Sequence, residues 1–253
     1  MEIDAPLGTY DLDMTNMGLT DENFARIAGI VMNDGTVNIE DETPPTYSNI
    51  VIVPSSPTVY VVSGQTYTFN ITVQDNVAVD TVLFEFDGAN YTDLIKIDSV
   101  YSYQLTDLAA GTYNYRWYMN DTSDNWNSTS SQSYVINKAA TSVNLLLNGT
   151  DGNLTIDYGE PVNISATLSI ADTVTLYVDG TNAGSDIGYV ENVTTLGGGV
   201  HNITALYPGD ENYTASSETH WLTVETPRWD INEDRAVDYI DLAILSAHWG
   251  ETY

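Results

Sequence analysis

The amino-acid sequence predicts an all-β protein: two tandem β-sandwiches, followed by one short loop and helix at the C-terminus. Three observations carry this prediction. Apolar and polar residues alternate in short runs rich in Thr, Ser, Asn, Tyr and Val, the period of half-buried strands. Turn signals built on Gly, Asp, Asn and Pro recur between the runs. Helical spacing of apolar residues is nearly absent before residue 238.

Composition narrows the possible roles. Six Lys+Arg stand against 36 Asp+Glu, a formal net charge of −30. Nucleic acids and anionic membrane surfaces need a basic footprint, so both are excluded as partners. The charge suits a solvated surface, cation binding or a salty habitat. No apolar run approaches the length of a membrane span, and direct membrane insertion is not expected. There is no Cys, hence neither disulfides nor thiol chemistry. The opening Met1-Glu-Ile-Asp-Ala-Pro does not read as a signal peptide, so an exported form is expected to be a mature piece. The 253 residues suffice for two or three domains.

Residues 1–43 read as a β-hairpin segment. Thr9–Met14 alternates, and 26–32 and 36–40 flank the turn Asn33-Asp-Gly35. A linear calcium reading of Asp34, Asn38 and Asp41 fails, because Ile30 and Met32 occupy the earlier ligand positions. The run Gly8-Thr-Tyr-Asp-Leu-Asp-Met-Thr-Asn, with Asn33-Asp-Gly-Thr-Val-Asn-Ile39, resembles the last strands of a cohesin-type sandwich. That resemblance implies a chain that begins inside a domain.

Thr43-Pro-Pro-Thr46 is a stiff linker. Residues 44–138 then hold seven strand candidates: 49–53, 58–62, 66–73, 81–86, 100–105, 112–119 and 133–136. Short strands at such regular spacing predict an Ig-like or fibronectin-like sandwich. Tyr113, Tyr115 and Trp117 alternate and so share one face. Asp75-Asn-Val-Ala-Val-Asp80 and Gly111–Asn127 resemble bacterial and archaeal surface Ig-like repeats. That topology puts the loops near 75–80 and 120–127 at one end, where Asp75, Asp80, Asp121 and Asp124 would share a cation. The competing reading is turn chemistry, since Asp and Asn bond their own backbone in loops.

Residues 139–226 predict a second sandwich, with strands at 142–147, 162–168, 173–178, 189–194, 201–207 and 220–224. Asp179-Gly180 and Tyr207–Tyr213 are turn signals. His201–Ser216 resembles another Ig-like repeat family of cell-surface proteins, in which the Tyr-x-Gly-Asp-x-x-Tyr run links the last two strands.

Residues 227–253 differ in kind. Asp230, Asn232, Asp234, Asp238 and Asp241 occupy positions 1, 3, 5, 9 and 12 of a calcium loop, with the backbone carbonyl of Ala236 at position 7. Calcium takes six to eight hard oxygens, and a loop winding into a helix presents alternate side chains to one centre. Arg235 stands where the sharp turn favours Gly, which weakens the expected site. Two apolar stripes follow: Ile240, Ala243, Ile244 and Ala247, and Leu242, Leu245 and Trp249. A short helix cannot bury both stripes by itself. The competing reading is an acidic loop capping an ordinary helix. The pattern over residues 230–245 resembles one repeat of a dockerin, an EF-hand-like module that docks on cohesin domains; dockerins usually carry two repeats. The resemblance implies Ca2+ as cofactor, and a cohesin-like domain or another copy of the chain as partner. It assigns recognition to Tyr239 and Ile240 and the helix residues Leu242, Leu245 and Trp249.

Asn-x-Ser/Thr sequons occur at Asn70, Asn90, Asn120, Asn127, Asn148, Asn153, Asn163, Asn192, Asn202 and Asn212, all within the two sandwiches. They are candidate glycosylation sites, and glycans would imply export. No catalytic constellation is legible. His201, His220 and His248 lack metal-ligand spacing, with His201 and His220 expected near a sandwich edge. No Ser stands in a nucleophile elbow, and Gly197-Gly-Gly199 reads as a turn. The 18 Tyr fit core and cross-strand positions better than a sugar-stacking row. The expectation is a non-catalytic, extracellular cell-surface protein of prokaryotic, archaeal style. Its sandwiches serve as spacers and its calcium loop as an attachment module. The alternative is a self-assembling subunit of a filament, sheath or S-layer.

Overall fold

The computed structural model describes residues 8–12, 35–39, 41–226, 229, 231–232 and 238–247. Strand β1 (Gly8–Leu12) pairs antiparallel with β2 (Gly35–Ile39), Gly8 opposite Ile39 and Leu12 opposite Gly35. The segment 36–39 therefore takes 8–12 as a partner. Residues 26–32, its expected hairpin mate, lie outside the described residues.

The first sandwich runs from β3 (Thr46–Val53) through β4 (Thr58–Val59), β5 (Thr66–Gln74), β6 (Val79–Phe86), β7 (Ala89–Tyr91), β8 (Ile95–Ile97), β9 (Val100–Thr106), β10 (Gly111–Asp121) and β11 (Trp126–Ser128) to β12 (Gln132–Asn137). One sheet has the order β3-β5-β9-β8, the other β4-β12-β10-β6-β7, with β11 paired to β10. The seven expected strands are present, and β7, β8 and β11 add to them. Each of those three has three residues, too few to display a period.

Side-chain alternation explains this core. On β5, Tyr67, Phe69, Ile71 and Val73 point inward; from the other sheet come Val82, Phe84 and Phe86 on β6 and Tyr115, Trp117 and Met119 on β10. The rings interlock. Phe69 contacts Phe84, Phe86, Tyr115 and Tyr134, and Trp117 lies 4.5 Å from Phe84 between centroids. Two buried phenols are satisfied by hydrogen bonds: Tyr134 donates to the Pro54 carbonyl at 2.8 Å and Tyr115 donates to Gln132. Tyr113 is half-buried on the same face as Tyr115 and Trp117.

The second sandwich comprises β13 (Val143–Leu147), β14 (Leu154–Ile156), β15 (Pro161–Leu168), β16 (Thr173–Val178), β17 (Thr181–Ile187), β18 (Tyr189–Thr195), β19 (Gly199–Tyr207) and β20 (Ser216–Val224). Its sheets have the orders β13-β15-β18 and β14-β20-β19-β16-β17. Leu145, Leu147, Ile164, Leu176, Ile203 and Leu222 centre an aliphatic core. His201 and His220 do pair through their strands, but β19 and β20 are inner strands of a five-stranded sheet, not edge strands. The expected edge position was wrong because β14 lies outside β20, and β16 and β17 lie outside β19; β14 has only three residues and β17 no apolar period, so neither was legible as a strand.

Both sandwiches share one device. The opening strand divides, and its second part crosses to the other sheet and pairs parallel with the closing strand: β4 with β12, and β14 with β20. Two-residue turns close hairpins at Asp87-Gly88 and Asp179-Gly180. All four of these residues have positive φ, as a turn matching the strand twist requires. A single helix, α1 (Tyr239–Ala247), follows the strands among the described residues.

Candidate metal centres

The C-terminal loop is described in part. Of its expected ligands, Asn232, Asp238 and Asp241 have placed positions; Asp230, Asp234 and Ala236 lie outside the described residues. Asp238 stands at the N-cap of α1, its Oδ1 accepting the Ile240 amide at 2.7 Å. Asp241, 2% exposed, reaches back: its Oδ2 accepts the Asp238 amide at 2.8 Å. The two form a reciprocal capping box. Asp241 Oδ1 also accepts the amides of Ile231 at 2.7 Å and Asn232 at 3.2 Å, tying the loop to the helix. These donors, the Asp238 amide first, hold the Asp241 carboxyl below the ordinary carboxylate range. Each carboxylate oxygen has two acceptor positions; those of Oδ1 are taken by the two amides, and Oδ2 keeps one for a cation.

Asp241 is the buried residue of α1. Tyr239 is 77% exposed, and Ile240, Leu242 and Leu245 are also exposed. Trp249 lies outside the described residues. Leu242 and Leu245 join Trp229 and Ile231 around a cavity of about 240 Å³ that also touches Asp238 and Asp241. Among the described residues of the two stripes, Ile240, Ala243, Ala247, Leu242 and Leu245 are exposed and Ile244 is half-buried.

A second acidic site lies in the first sandwich. Asp41, Asp75 and Asp121 bring carboxylate oxygens within 4.8 Å of one another. Asp41 precedes β3, Asp75 follows β5 and Asp121 ends β10. Asp121 is 1% exposed and Asp41 6%. Asp41 Oδ1 accepts from the Thr43 amide and from Asn76 Nδ2, both at 3.0 Å. Asp75 Oδ2 accepts the Val77 and Ala78 amides at 2.7 and 2.9 Å. Asp121 Oδ1 accepts the Ser123 and Asn125 amides, and Oδ2 accepts Asn125 Nδ2. Burial pushes the Asp121 carboxyl up, but those donors outweigh it and hold the group below its ordinary range. Asp41 Oδ2 and Asp75 Oδ1 are buried without a hydrogen-bond partner.

Of the four carboxylates expected to meet here, Asp75 and Asp121 do. Asp80 is engaged by the hydroxyl of its neighbour Thr81, and Asp124 accepts from Trp126 Nε1 and Asn120. Asp41 takes their place. It was missed because it was tested only as part of a linear loop, whereas its partners stand 34 and 80 positions away. The one available signal was its place just before the stiff Pro-Pro linker.

In the second sandwich Asp151, Glu218 and His220 converge. His220 Nε2 lies 3.0 Å from the Leu145 carbonyl and 3.3 Å from Asp151 Oδ1. A carbonyl only accepts, so Nε2 carries a proton there and has no lone pair for a metal. Glu218 Oε2 accepts the Leu145 amide at 2.6 Å. The cluster ties β20 to β13. His201 plays a similar part, bridging Asp179 and the Gly197 carbonyl at 2.8 Å each.

The sequons divide by exposure. Asn90, Asn148 and Asn153 are exposed; Asn70, Asn127, Asn163, Asn192, Asn202 and Asn212 are half-buried. Asn70, Asn127, Asn163 and Asn192 already donate through Nδ2 to protein acceptors. Asn120 is buried, with its amide between the Thr81 N–H and Asp124, so the folded chain does not present it for modification.

No family model and no curated protein matches the sequence. Solved structures do resemble it. Fibronectin(III)-like modules of Clostridium thermocellum CbhA share 21% identity over 70% of this chain and 94% of that one, with a TM-score of 0.30. A pair of titin domains in complex with telethonin shares 14% identity over 73% and 98%, with a TM-score of 0.46. At such identities a likeness speaks to fold alone. The sheet orders and divided opening strands carry the conclusion themselves: the chain is mostly β, a tandem of two Ig-like or fibronectin-like sandwiches with one short C-terminal helix.

Proposed function

We propose that the chain is an extracellular structural or adhesion module whose tandem sandwiches act as spacers and whose C-terminal loop and helix attach it, with calcium, to a partner. The observation that carries this reading is the state of α1. It is held at its base by the buried Asp241 while Tyr239, Ile240, Leu242 and Leu245 remain exposed beside an acidic loop. An apolar face on a nine-residue helix is poorly stable in water and gains from a cover. Calcium would neutralise Asp230, Asp234, Asp238 and Asp241, whose mutual repulsion opposes the loop, and so couple ligation to folding. The partner that fits the dockerin-like pattern is a cohesin-like sandwich or a second copy of the chain; docking is mainly apolar. The module is non-catalytic, sits at a prokaryotic cell surface and carries glycans on exposed sequons.

Calorimetric titration of Ca2+ into the full chain, beside an Asp230→Ala/Asp234→Ala variant, tests this. The reading expects the variant to bind one Ca2+ fewer than the unaltered chain, the lost site having Kd on the order of 10⁻⁴–10⁻³ M as in extracellular modules. Sedimentation at both endpoints then distinguishes the partners. A monomer with bound calcium favours an external one, and concentration-dependent growth favours self-assembly. An unchanged titration in the variant would sink the attachment role.

A further inference from the structure

We infer that Asp41, Asp75 and Asp121 form a second calcium site, one that staples the segment 41–45 onto the loops of the first sandwich. It does not depend on the C-terminal loop.

The argument begins with charge. Three carboxylates with oxygens within 4.8 Å of one another repel, and burial of Asp41 and Asp121 removes the water that would screen them. A counter-charge is required, and among the described residues no basic side chain supplies it. The ion pairs among the described residues all involve histidines of the second sandwich. Lys96 lines the same cleft as Asp75, but its ammonium sits 5.0 Å over the Tyr101 ring.

The hydrogen bonds orient the acids instead of neutralising them. Backbone amides of Thr43, Val77 and Ala78 and the Asn76 amide take one oxygen each of Asp41 and Asp75. The other oxygen of each, Asp41 Oδ2 and Asp75 Oδ1, is buried with no partner. An unpaired buried acceptor is costly, and two in one acidic cluster mark the place of a missing positive ligand.

Donor chemistry chooses the ion. Carboxylate oxygens select a hard cation. Calcium takes six to eight oxygens at about 2.4 Å in flexible geometry, so acids carried by three separate segments can share it. Magnesium demands a near-ideal octahedron and gives up its waters reluctantly. The three acids therefore suit calcium, with water or carbonyl oxygens completing its shell.

The structural consequence falls on the junction before β3. Asn125 Nδ2 already donates to the Asp41 carbonyl and Asn127 Nδ2 to the Pro45 carbonyl, at 2.8 and 2.7 Å. An ion joining Asp41 to Asp75 and Asp121 converts that lightly tied linker into a fixed joint.

The test uses the full chain carrying Asp230→Ala/Asp234→Ala, so that the C-terminal loop is silent. Calorimetry should still find one site for Ca2+. Hydrogen exchange should show calcium-dependent protection at 41–45, 75–78 and 121–125. Asp41→Asn/Asp75→Asn, which keeps the shape and the one hydrogen-bonded oxygen of each residue, should weaken binding by more than the roughly 10–100-fold typical of an outer-shell change. In chelator the same variant should melt no lower than its parent, because repulsion has been removed, and calcium should no longer raise its Tm. No uptake at millimolar calcium, or uptake with protection elsewhere, overturns the site whether or not the variant folds. Neither result bears on the C-terminal module, which the Asp230→Ala/Asp234→Ala comparison reads separately.

Discussion

Trp117 closes the core of the first sandwich. It is fully buried against Phe84, and its indole N–H has no partner there. Trp117→Ala should destabilise this sandwich by about 3–5 kcal/mol, the range for deleting a large buried ring. Trp117→Phe should cost clearly less, because ring packing is partly kept and an unsatisfied donor disappears. Urea unfolding of both variants checks the order; equal losses would mean that the indole is not buried as described. Two phenols make a second residue-level statement. Burial pushes Tyr134 up to about 12, and burial with the Asp172 contact does the same for Tyr207. The ordinary value is 10.0, so the folded state holds these protons longer than the unfolded one. Their contribution is fully present below about pH 10 and is lost as pH rises through about 12. Tyrosinate absorbance should show two late-titrating groups whose ionisation accompanies loss of the fold. Trp117 and its neighbours were legible in sequence, because alternation places Tyr113, Tyr115 and Trp117 on one face. Asp41 was not, because its role depends on strands that converge only in three dimensions.

At the scale of elements, long alternating strands announced themselves and short or polar ones did not. Thr66–Gln74 carries four inward apolar residues and could be read directly. Leu154–Ile156 has three residues and depends on parallel pairing with β20. Thr181–Ile187 has no apolar period; it exists because Asp179-Gly180 turns the chain back along β16. The acidic spacing over residues 230–241 was legible as a candidate calcium loop, and the capping of α1 by Asp238 and Asp241 is the feature that the competing reading, an acidic loop capping an ordinary helix, expected. Loop glycines give the sharpest element-level prediction. Gly209, in the β19–β20 connection, has φ +79°, and an added Cβ would lie 2.7 Å from the Ala215 nitrogen. Gly209→Ala should cost about 2 kcal/mol or more from strain and contact together. Gly180→Ala, also at positive φ but in open space, should cost only about 1 kcal/mol. Thermal unfolding of the pair separates collision from backbone strain, and the reverse order would contradict the β19–β20 loop geometry. Glycan mapping offers a parallel check: Asn90, Asn148 and Asn153 should be modified before half-buried sequons, and Asn120 not at all.

For the whole molecule, charge is the dominant fact. A net −30 with six basic residues leaves carboxylates to be managed by amide donors, solvent and cations. The structure shows the first of these repeatedly, at Asp41, Asp75, Asp121 and Asp241. It has few cationic partners to lose when salt is added, so screening should remove more repulsion than attraction. In chelator, raising NaCl from about 0.01 M to about 1 M shortens the Debye length from about 30 Å to about 3 Å and should raise the Tm. Calcium at constant ionic strength should raise it further, through specific sites that screening cannot mimic. At two unit charges about 5 Å apart, repulsion is about 3 kcal/mol at an effective dielectric of about 20, a substantial fraction of the roughly 5–15 kcal/mol of ordinary domain stability. A Tm that falls with NaCl would place attractive pairs above repulsion in control of the fold. A calcium effect no larger than that of equal ionic strength would leave the acids as solvated surface rather than ligands.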